Sequence, residues 1–450
     1  MTTIFASSII PELGKLWSNN SVTAMLIFWT AACGMLAYYM WRSPRIFMVG
    51  YSAYKPGDER KCSYELSEYF AMRTEKFDEQ SVEFMRRIFR KSGIGDETYG
   101  PPFPFRENPV ETLEAGVEET REMMFGAVDA VFQDTGLSAK DINIIITTCS
   151  MLSTVPSLSS MLINRYKMKE DVKSISLAGM GCSSGVMALH TAADLLKTFK
   201  KGTYALVVIT ENITLNTYYG KDRSMLVTNC IFRVGCAAVI LSNRSRDRTR
   251  AKMELLLSLR THRGSDDKSY SAAFQCEDEE GMVGIQLNKD LIRVAGESLR
   301  AHISSLAPLV LPYSEQLKYL WSFLAVNVVK MEGKLYVPDF LKAFEHVCVH
   351  TGGKAVLKEI ARSLQLSEYV TEPASMVLHR FGNTSSSLVL YELAYFEAKE
   401  RIKKGDRVWM IAFGTGFKCC TIVWKALNDL QPSPVTNPWL DCVHRYPVKS

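Results

Sequence analysis

One local pattern occurs twice in this chain, once in each half, and any fold it adopts must accommodate both copies. In the first copy, residues 172–177 read as a strand and GMGCSSG (179–185) as a turn of small residues. Residues 186–199 then read as a helix and YALVVIT (204–210) as a buried strand. In the second, residues 376–379 are strand-like and RFGNTSSS (380–387) is a small, polar turn. Residues 388–403 have helical periodicity and RVWMIAF (407–413) reads as a buried strand. Cys182 and Asn383 hold matching places where the two helices begin. Alternating strand and helix patterns predict stacked α/β layers, and two copies of one β-turn-α-β unit predict an internally duplicated fold.

A chain of 450 residues, 47% of them hydrophobic, is long enough to bury one large core or two fused ones. Its net charge of +5 suits a phosphate-bearing substrate or an anionic membrane surface. No dense Lys/Arg block with interleaved aromatics is present, which argues against nucleic acid as a partner. The eleven cysteines follow no repeated CxxC and no zinc-binding pattern, as expected of reduced, mostly buried thiols in a cytosol-facing domain.

Residues 21–41 (SVTAMLIFWTAACGMLAYYMW) carry no charge and are long enough to cross a bilayer. Tyr38, Tyr39 and Trp41 would sit at its interface. Arg42 and Arg45 follow at once, while Glu12 and Lys15 cancel on the other side, so the charge bias puts the later residues in the cytosol. No small-x-small cleavage site follows, so a signal peptide is disfavoured. The expected organisation is an N-terminal segment (1–45) with its transmembrane anchor, a half carrying Cys182 (46–245), a half carrying His350 and Asn383 (246–428), and a tail (429–450). Asn212, Asn243 and Asn383 lie in glycosylation sequons, which a cytosolic domain leaves bare; a glycan on Asn243 would place the domain in the lumen.

The turn around Cys182 would aim its sulfur at a helix N-terminus, where partial positive charge favours a thiolate and hence a thioester-forming nucleophile. A plain core cysteine is the bland alternative. The same residues also satisfy G-x-S-x-G with Ser183 as nucleophile, and Asp339 and His350 follow in the Ser-Asp-His order of a serine hydrolase. A dinucleotide fingerprint fails, because Ser184 stands where glycine is required.

In EHVCVHTGG, His346 and His350 are four apart, on one face if that stretch is helical. A metal there would need a third ligand, and the H-E-x-x-H order is absent. The glycines after His350 suit the lip of an active site, or else His350 caps a helix before them. Asn383 is either an N-cap or an uncharged donor to a developing oxyanion. Gly414, Thr415 and Gly416, after the last buried strand, would offer a backbone N–H to the same oxyanion.

Taken together, these residues resemble the plant 3-ketoacyl-CoA synthases, the condensing enzymes of very-long-chain fatty acid elongation, which share the thiolase-like fold of chalcone synthases. The resemblance runs from about Arg45 to Pro447. It is carried in order by RKSGIGDETYGP, GMGCSSG, TENIT, DRSMLVTNCIFRVG, RTHRGSDDKSY, PDFLKAFEHVCVHTGG, LHRFGNTSSS and AFGTGFKC. It implies an α/β, thiolase-like, internally duplicated αβαβα layered fold behind an N-terminal transmembrane helix. It further implies Cys182 as the acylated nucleophile, His350 and Asn383 as its catalytic partners, and supporting or structural roles for His262, His346 and His379.

The substrates implied are a long-chain acyl-CoA and malonyl-CoA. No metal or redox cofactor is expected, because decarboxylation supplies the driving force, and coenzyme A enters as part of both substrates. A homodimer, other elongase components as partners and an endoplasmic reticulum membrane location with the catalytic domain facing the cytosol complete the expectation. The chain departs from the family in showing one clear span where two are usual, and in carrying Gly50, Ala53 and Cys236 where Asp, Cys and Gly are common. The competing classes are a membrane-tethered scaffold of low activity and a serine hydrolase at Ser183.

Overall fold

The computed structural model describes residues 28–34, 44–107, 109–331 and 335–448, and divides into two compact units, Met1–Pro44 and Arg45–Ser450. In the first, residues 28–34 are helical; the rest of the expected anchor lies outside the described residues. Among the described residues no helix is long and apolar enough to cross a membrane.

The second unit is organised by strands that are apolar throughout rather than alternately. β1 (Phe47–Ala53), β2 (Ile144–Thr148), β4 (Tyr204–Thr210) and β5 (Cys236–Ser242) are buried at every position, as expected of strands covered on both faces. β3 (Lys173–Leu177) is mostly exposed, as an edge strand. β6 (Met253–His262), β9 (His346–Val349), β10 (Arg407–Gly414) and β11 (Lys418–Ala426) complete a nine-stranded sheet, while β7 (Ala273–Glu277) and β8 (Val283–Leu287) pair separately as a hairpin.

The sheet order is β3-β2-β4-β5-β1-β6-β11-β10-β9, and it contains the duplication. In the first half β2 pairs parallel with β4, β4 antiparallel with β5, and β5 antiparallel with β1. In the second, β9 pairs parallel with β10, β10 antiparallel with β11, and β11 antiparallel with β6. The halves join through a short β1–β6 pairing, Phe47 opposite Glu254 and Met48 opposite Met253.

The one unmatched element is β3. Its expected counterpart at residues 376–379 is not a strand but part of the helix Glu368–Phe381. Ala374, Val377, Leu378 and Phe381 are buried at i, i+3, i+4 and i+7, the period of a helix, which a four-residue apolar window cannot reveal. The stretch holding His346 is likewise a strand, so His346 and His350 do not share a helical face.

Each repeat contributes one helix to the inside. Ser184–Thr198 follows the turn at Cys182, and Leu388–Ala398 follows the turn at Asn383. Leu388–Ala398 (LVLYELAYFEA) is buried everywhere but at Ala398, which its all-round apolar composition requires. The two helix starts are pressed together. A Cβ on Gly185 would lie 2.2 Å from the Ser386 carbonyl oxygen and 3.0 Å from Ile209 Cγ2, so only a hydrogen fits. Replacing Gly185 by Ala should therefore overpack the centre by about 1–3 kcal/mol, read as a lower apparent unfolding temperature. Gly296→Ala, on the helix Leu291–Val310 with nothing nearer than 3.9 Å, should leave that temperature unchanged or raise it.

Candidate active site

The two inner turns open on one cavity of about 660 Å³, lined by Cys182, His350 and Asn383 together with Gly414, Thr415 and Gly416. Cys182 lies in a 3-10 turn, Gly181–Ser183, that runs directly into the helix Ser184–Thr198. Gly181 has φ +59°, and a Cβ there would meet the Thr415 backbone nitrogen at 3.0 Å. This close approach sets the nucleophile turn against the turn between β10 and β11.

His350 follows β9. Its N–H donates to the Ile411 carbonyl of β10 at 2.9 Å, and the preceding Val349 N–H donates to Glu392 Oε2 at 2.8 Å. The end of the histidine strand is thus tied to the helix that begins after Asn383. Asn383 divides its amide. Oδ1 accepts from the Ser385 N–H at 2.9 Å, as an N-cap would, while Nδ2 reaches the Gly352 carbonyl at 3.5 Å. The capping and donating readings of this residue describe the two ends of one side chain.

Ser183 does not face the cavity. It is fully buried, donates to the Met180 carbonyl at 3.1 Å and packs under Gly414. Asp339 caps the turn at Leu341 and does not line the cavity either. The serine-hydrolase alternative therefore fails on geometry: in a 3-10 turn the residue next to Cys182 points about 120° away from it.

Comparison with known proteins identifies the family. A family model described as FAE1/Type III polyketide synthase-like protein matches residues 38–328, and one described as 3-Oxoacyl-[acyl-carrier-protein (ACP)] synthase III C terminal matches residues 341–426. The chain is 44% identical over 441 residues to 3-ketoacyl-CoA synthase 9 of Arabidopsis thaliana, covering 97% of this chain and 86% of that one. It is 47% identical over 438 residues to 3-ketoacyl-CoA synthase 2 of the same organism, covering 96% and 82%. This chain belongs to the 3-ketoacyl-CoA synthase family.

Solved structures show the fold alone. The C-terminal type III polyketide synthase domain of Steely1 from Dictyostelium superposes with a TM-score of 0.66 at 22% identity, covering 85% of this chain and 99% of that one. PKS-I from the brown algae Ectocarpus siliculosus gives 0.66 at 17%, covering 86% and 99%. The α/β class expected from the repeat and the thiolase-like fold implied by the resemblance are therefore correct, and membership carries the enzyme class, a condensing acyltransferase.

The electrostatics of this synthase differ from the expectation of a thiolate at rest. Burial pushes the Cys182 thiol up to about 12; the Ser385 hydroxyl pulls against that shift and the Glu211 carboxylate adds to it. Desolvation is the largest contribution to that shift. Burial also pushes His350 down to about 4, so its ring is neutral at physiological pH, with Nδ1 enclosed and without a hydrogen-bond partner among the described residues. The resting pair is a neutral thiol and a neutral imidazole.

Two residues of the site carried no role in the sequence reading. Glu211, just past the end of β4, accepts from Cys149 Sγ at 3.2 Å and from the Met151 N–H at 2.9 Å. Ser385 Oγ lies 3.1 Å from Glu211 Oε2 and 3.7 Å from Cys182 Sγ, so its single proton faces both. The only signal for Glu211 was a charged residue closing an apolar strand in TENIT, and that pattern is common at strand ends.

The remaining histidines separate. His262 lines the cavity and accepts from the Gly264 N–H at Nδ1, 2.9 Å away. His346 sits at the far end of β9, with Nε2 2.9 Å from Asp406 Oδ2, and His379 packs on Tyr446; neither lines the cavity. Among the described residues no group of three His, Cys, Asp or Glu could hold a metal. Gly50, Ala53 and Cys236 all lie on the paired strands β1 and β5 and away from the cavity lining.

The sequon test also falls. Asn243 is buried, with Nδ2 donating to the Leu196 carbonyl at 2.8 Å, and Asn212 and Asn383 are buried as well. A glycan at any of the three is incompatible with this fold, whichever side of a membrane it faces.

A thiol held this high should resist alkylation. Iodoacetamide at neutral pH should modify Cys182 at least about tenfold more slowly than a free cysteine of ordinary pKa, with the rate still climbing above pH 9. Peptide mapping of the alkylated protein checks this; a plateau near pH 7 would show a preformed thiolate.

Proposed function

We propose that this synthase condenses a long-chain or very-long-chain acyl-CoA with malonyl-CoA through an acyl thioester on Cys182, releasing CO2 and coenzyme A and leaving a 3-oxoacyl-CoA two carbons longer. The observation that carries this reading is the convergence of Cys182, His350 and Asn383 on one cavity whose lining also includes Phe70, Phe77, Met85, Phe89 and Phe232. Those apolar walls favour an acyl chain by about 0.8 kcal/mol per buried methylene.

In the first stage the neutral His350 ring takes the Cys182 proton as the sulfur attacks the acyl-CoA carbonyl. That proton leaves with the coenzyme A thiolate, which restores the neutral ring. A base held near 4 stays unprotonated at physiological pH, and a thiol near 12 loses its proton only when the attack makes the transfer favourable.

In the second stage the malonyl thioester oxygen accepts from an N–H of His350 and from Asn383 Nδ2. As the bond to the carboxylate breaks and CO2 leaves, those two donors stabilise the enolate. The enolate carbon attacks the acyl carbon on Cys182, and backbone N–H groups at Cys182 and along Gly414–Gly416 hold the tetrahedral oxyanion. That attack forms the carbon–carbon bond; collapse of the intermediate re-forms the carbonyl, breaks the carbon–sulfur bond and expels the Cys182 thiolate, which takes a proton from solvent. The loss of CO2 drives the sequence, so the chemistry calls for no metal or redox group.

The same reading places the protein at the endoplasmic reticulum membrane, anchored by residues 21–41 with the catalytic unit in the cytosol. The uncharged run, Arg42 and Arg45, and cysteines that are all free among the described residues support it. A homodimer and contacts with other elongase components belong to it too. The intact Cys/His/Asn set favours an active enzyme over a scaffold.

Microsomes bearing the full-length protein should incorporate labelled malonyl-CoA into 3-oxoacyl product, and Cys182→Ala should abolish it. Asn383→Ala should slow decarboxylation by about a hundredfold, the loss of one oxyanion donor worth roughly 3 kcal/mol. Undiminished elongation by Cys182→Ala would falsify the mechanism, and a wild-type protein that neither releases CO2 nor elongates would favour the scaffold.

A further inference from the structure

The helix Tyr313–Asn327 (YSEQLKYLWSFLAVN) is amphipathic in the wrong sense for a protein surface in water. Its one buried residue is a carboxylate, Glu315. Glu315 accepts from Tyr336 Oη at 2.6 Å and from the Asp339 N–H at 3.1 Å, and pairs with Lys342 at 2.6 Å and Lys318 at 3.0 Å. About two turns further on, Ser322 Oγ accepts from the Tyr336 N–H at 2.8 Å. The helix is therefore held to the body by polar contacts along one face.

The opposite face is apolar and open. Tyr313, Leu317, Leu320, Trp321, Leu324 and Val328 recur at helical spacing and are all exposed, Tyr313 at 85% and Trp321 at 77%. Val329 and Met331 continue the exposed surface beyond the helix, and no other stretch of similar length among the described residues exposes as many large apolar side chains. Left in water, such a stripe costs about 25 cal/mol for each Å².

What covers the stripe is indicated by length, chemistry and the tether. At 15 residues the helix is too short to cross a bilayer, but an in-plane position needs no such length. Tyr313, Tyr319 and Trp321 are side chains favoured at the headgroup layer. Lys318 and Lys342 share the single Glu315 carboxylate and Lys330 follows the helix, a lysine-rich rim that complements anionic lipid. Only Arg42, Ser43 and Pro44 separate the uncharged run 21–41 from the start of the catalytic unit at Arg45. An anchor placed so shortly before the catalytic unit in the sequence tethers that unit to the bilayer.

We propose that the helix Tyr313–Asn327, continued to Met331, lies in the headgroup layer of an anionic bilayer, with Tyr313, Leu317, Trp321 and Leu324 inserted. This makes a second, in-plane membrane contact, and it rests on the membrane-anchored reading above. It would hold the catalytic unit against the surface from which long-chain acyl-CoA partitions.

The test uses the full-length protein reconstituted in phosphatidylcholine vesicles containing phosphatidylserine, labelled with a lipid-soluble carbene photoprobe and mapped by peptide mass. Label on both 21–41 and 313–331 is the expected result. Label on 21–41 but not on 313–331 overturns this inference and leaves the anchor standing. Label on 313–331 alone supports the lipid contact and removes the anchor, and label on neither removes both.

Trp321→Glu with Leu324→Glu changes two exposed side chains and should cut labelling of 313–331 by about tenfold, with 21–41 and detergent-solubilised activity unchanged. Cross-links joining 313–331 of two copies, in place of lipid label, would assign the stripe to a dimer and overturn the proposal.

Discussion

Everything at the centre of this molecule depends on how closely two helix starts approach. The Gly185 position leaves room for a hydrogen and nothing larger against the Ser386 carbonyl. That contact sets the turn bearing Cys182 beside the turn bearing Asn383 and Ser385. The sheet duplication explains why the approach is possible: each half places one helix in the same buried layer and runs it on into an equivalent strand, β4 in the first half and β10 in the second. Glu392, on the second of those helices, then fixes the end of β9 through the Val349 N–H, and with it the position of His350. Packing, not a network of charges, assembles the three functional side chains.

The same burial decides the chemistry. Enclosing the Cys182 thiol and the His350 ring moves their proton affinities apart, up to about 12 and down to about 4, so both are uncharged at rest. A preformed thiolate–imidazolium pair would place two charges in a cavity that must also accept an acyl chain, and desolvating those charges is costly. A neutral pair keeps the nucleophile quiet until a carbonyl carbon arrives. The neutral ring also retains an N–H for the later enolate. Ser385, with one proton facing both Cys182 and Glu211, is placed to respond when charge appears on the sulfur.

Much of this was legible in the residues. The turns at Cys182 and Asn383 stood out because runs of Gly and Ser between an apolar strand and a helix are rare and structurally specific. The strands 204–210 and 407–413 appeared as continuous apolar runs because both their faces are covered. Where the reading failed, the missing information was three-dimensional. Residues 376–379 looked like a strand because four residues cannot distinguish periods of 2 and 3.6. Ser183 matched a nucleophile motif that only its direction refutes. Glu211 acquires its place from burial beside residues distant in the chain. The thiolate expectation weighed the helix end without the desolvation opposing it, which only the enclosed geometry reveals.

The most direct measurement of the central claim is the intact mass and peptide map of the full-length protein after brief exposure to a long-chain acyl-CoA with no malonyl-CoA present. The account predicts one acyl group per chain, on the peptide containing Cys182, released when malonyl-CoA is added. An acyl group on Ser183 or elsewhere, or product formation without any acylated Cys182, would contradict it.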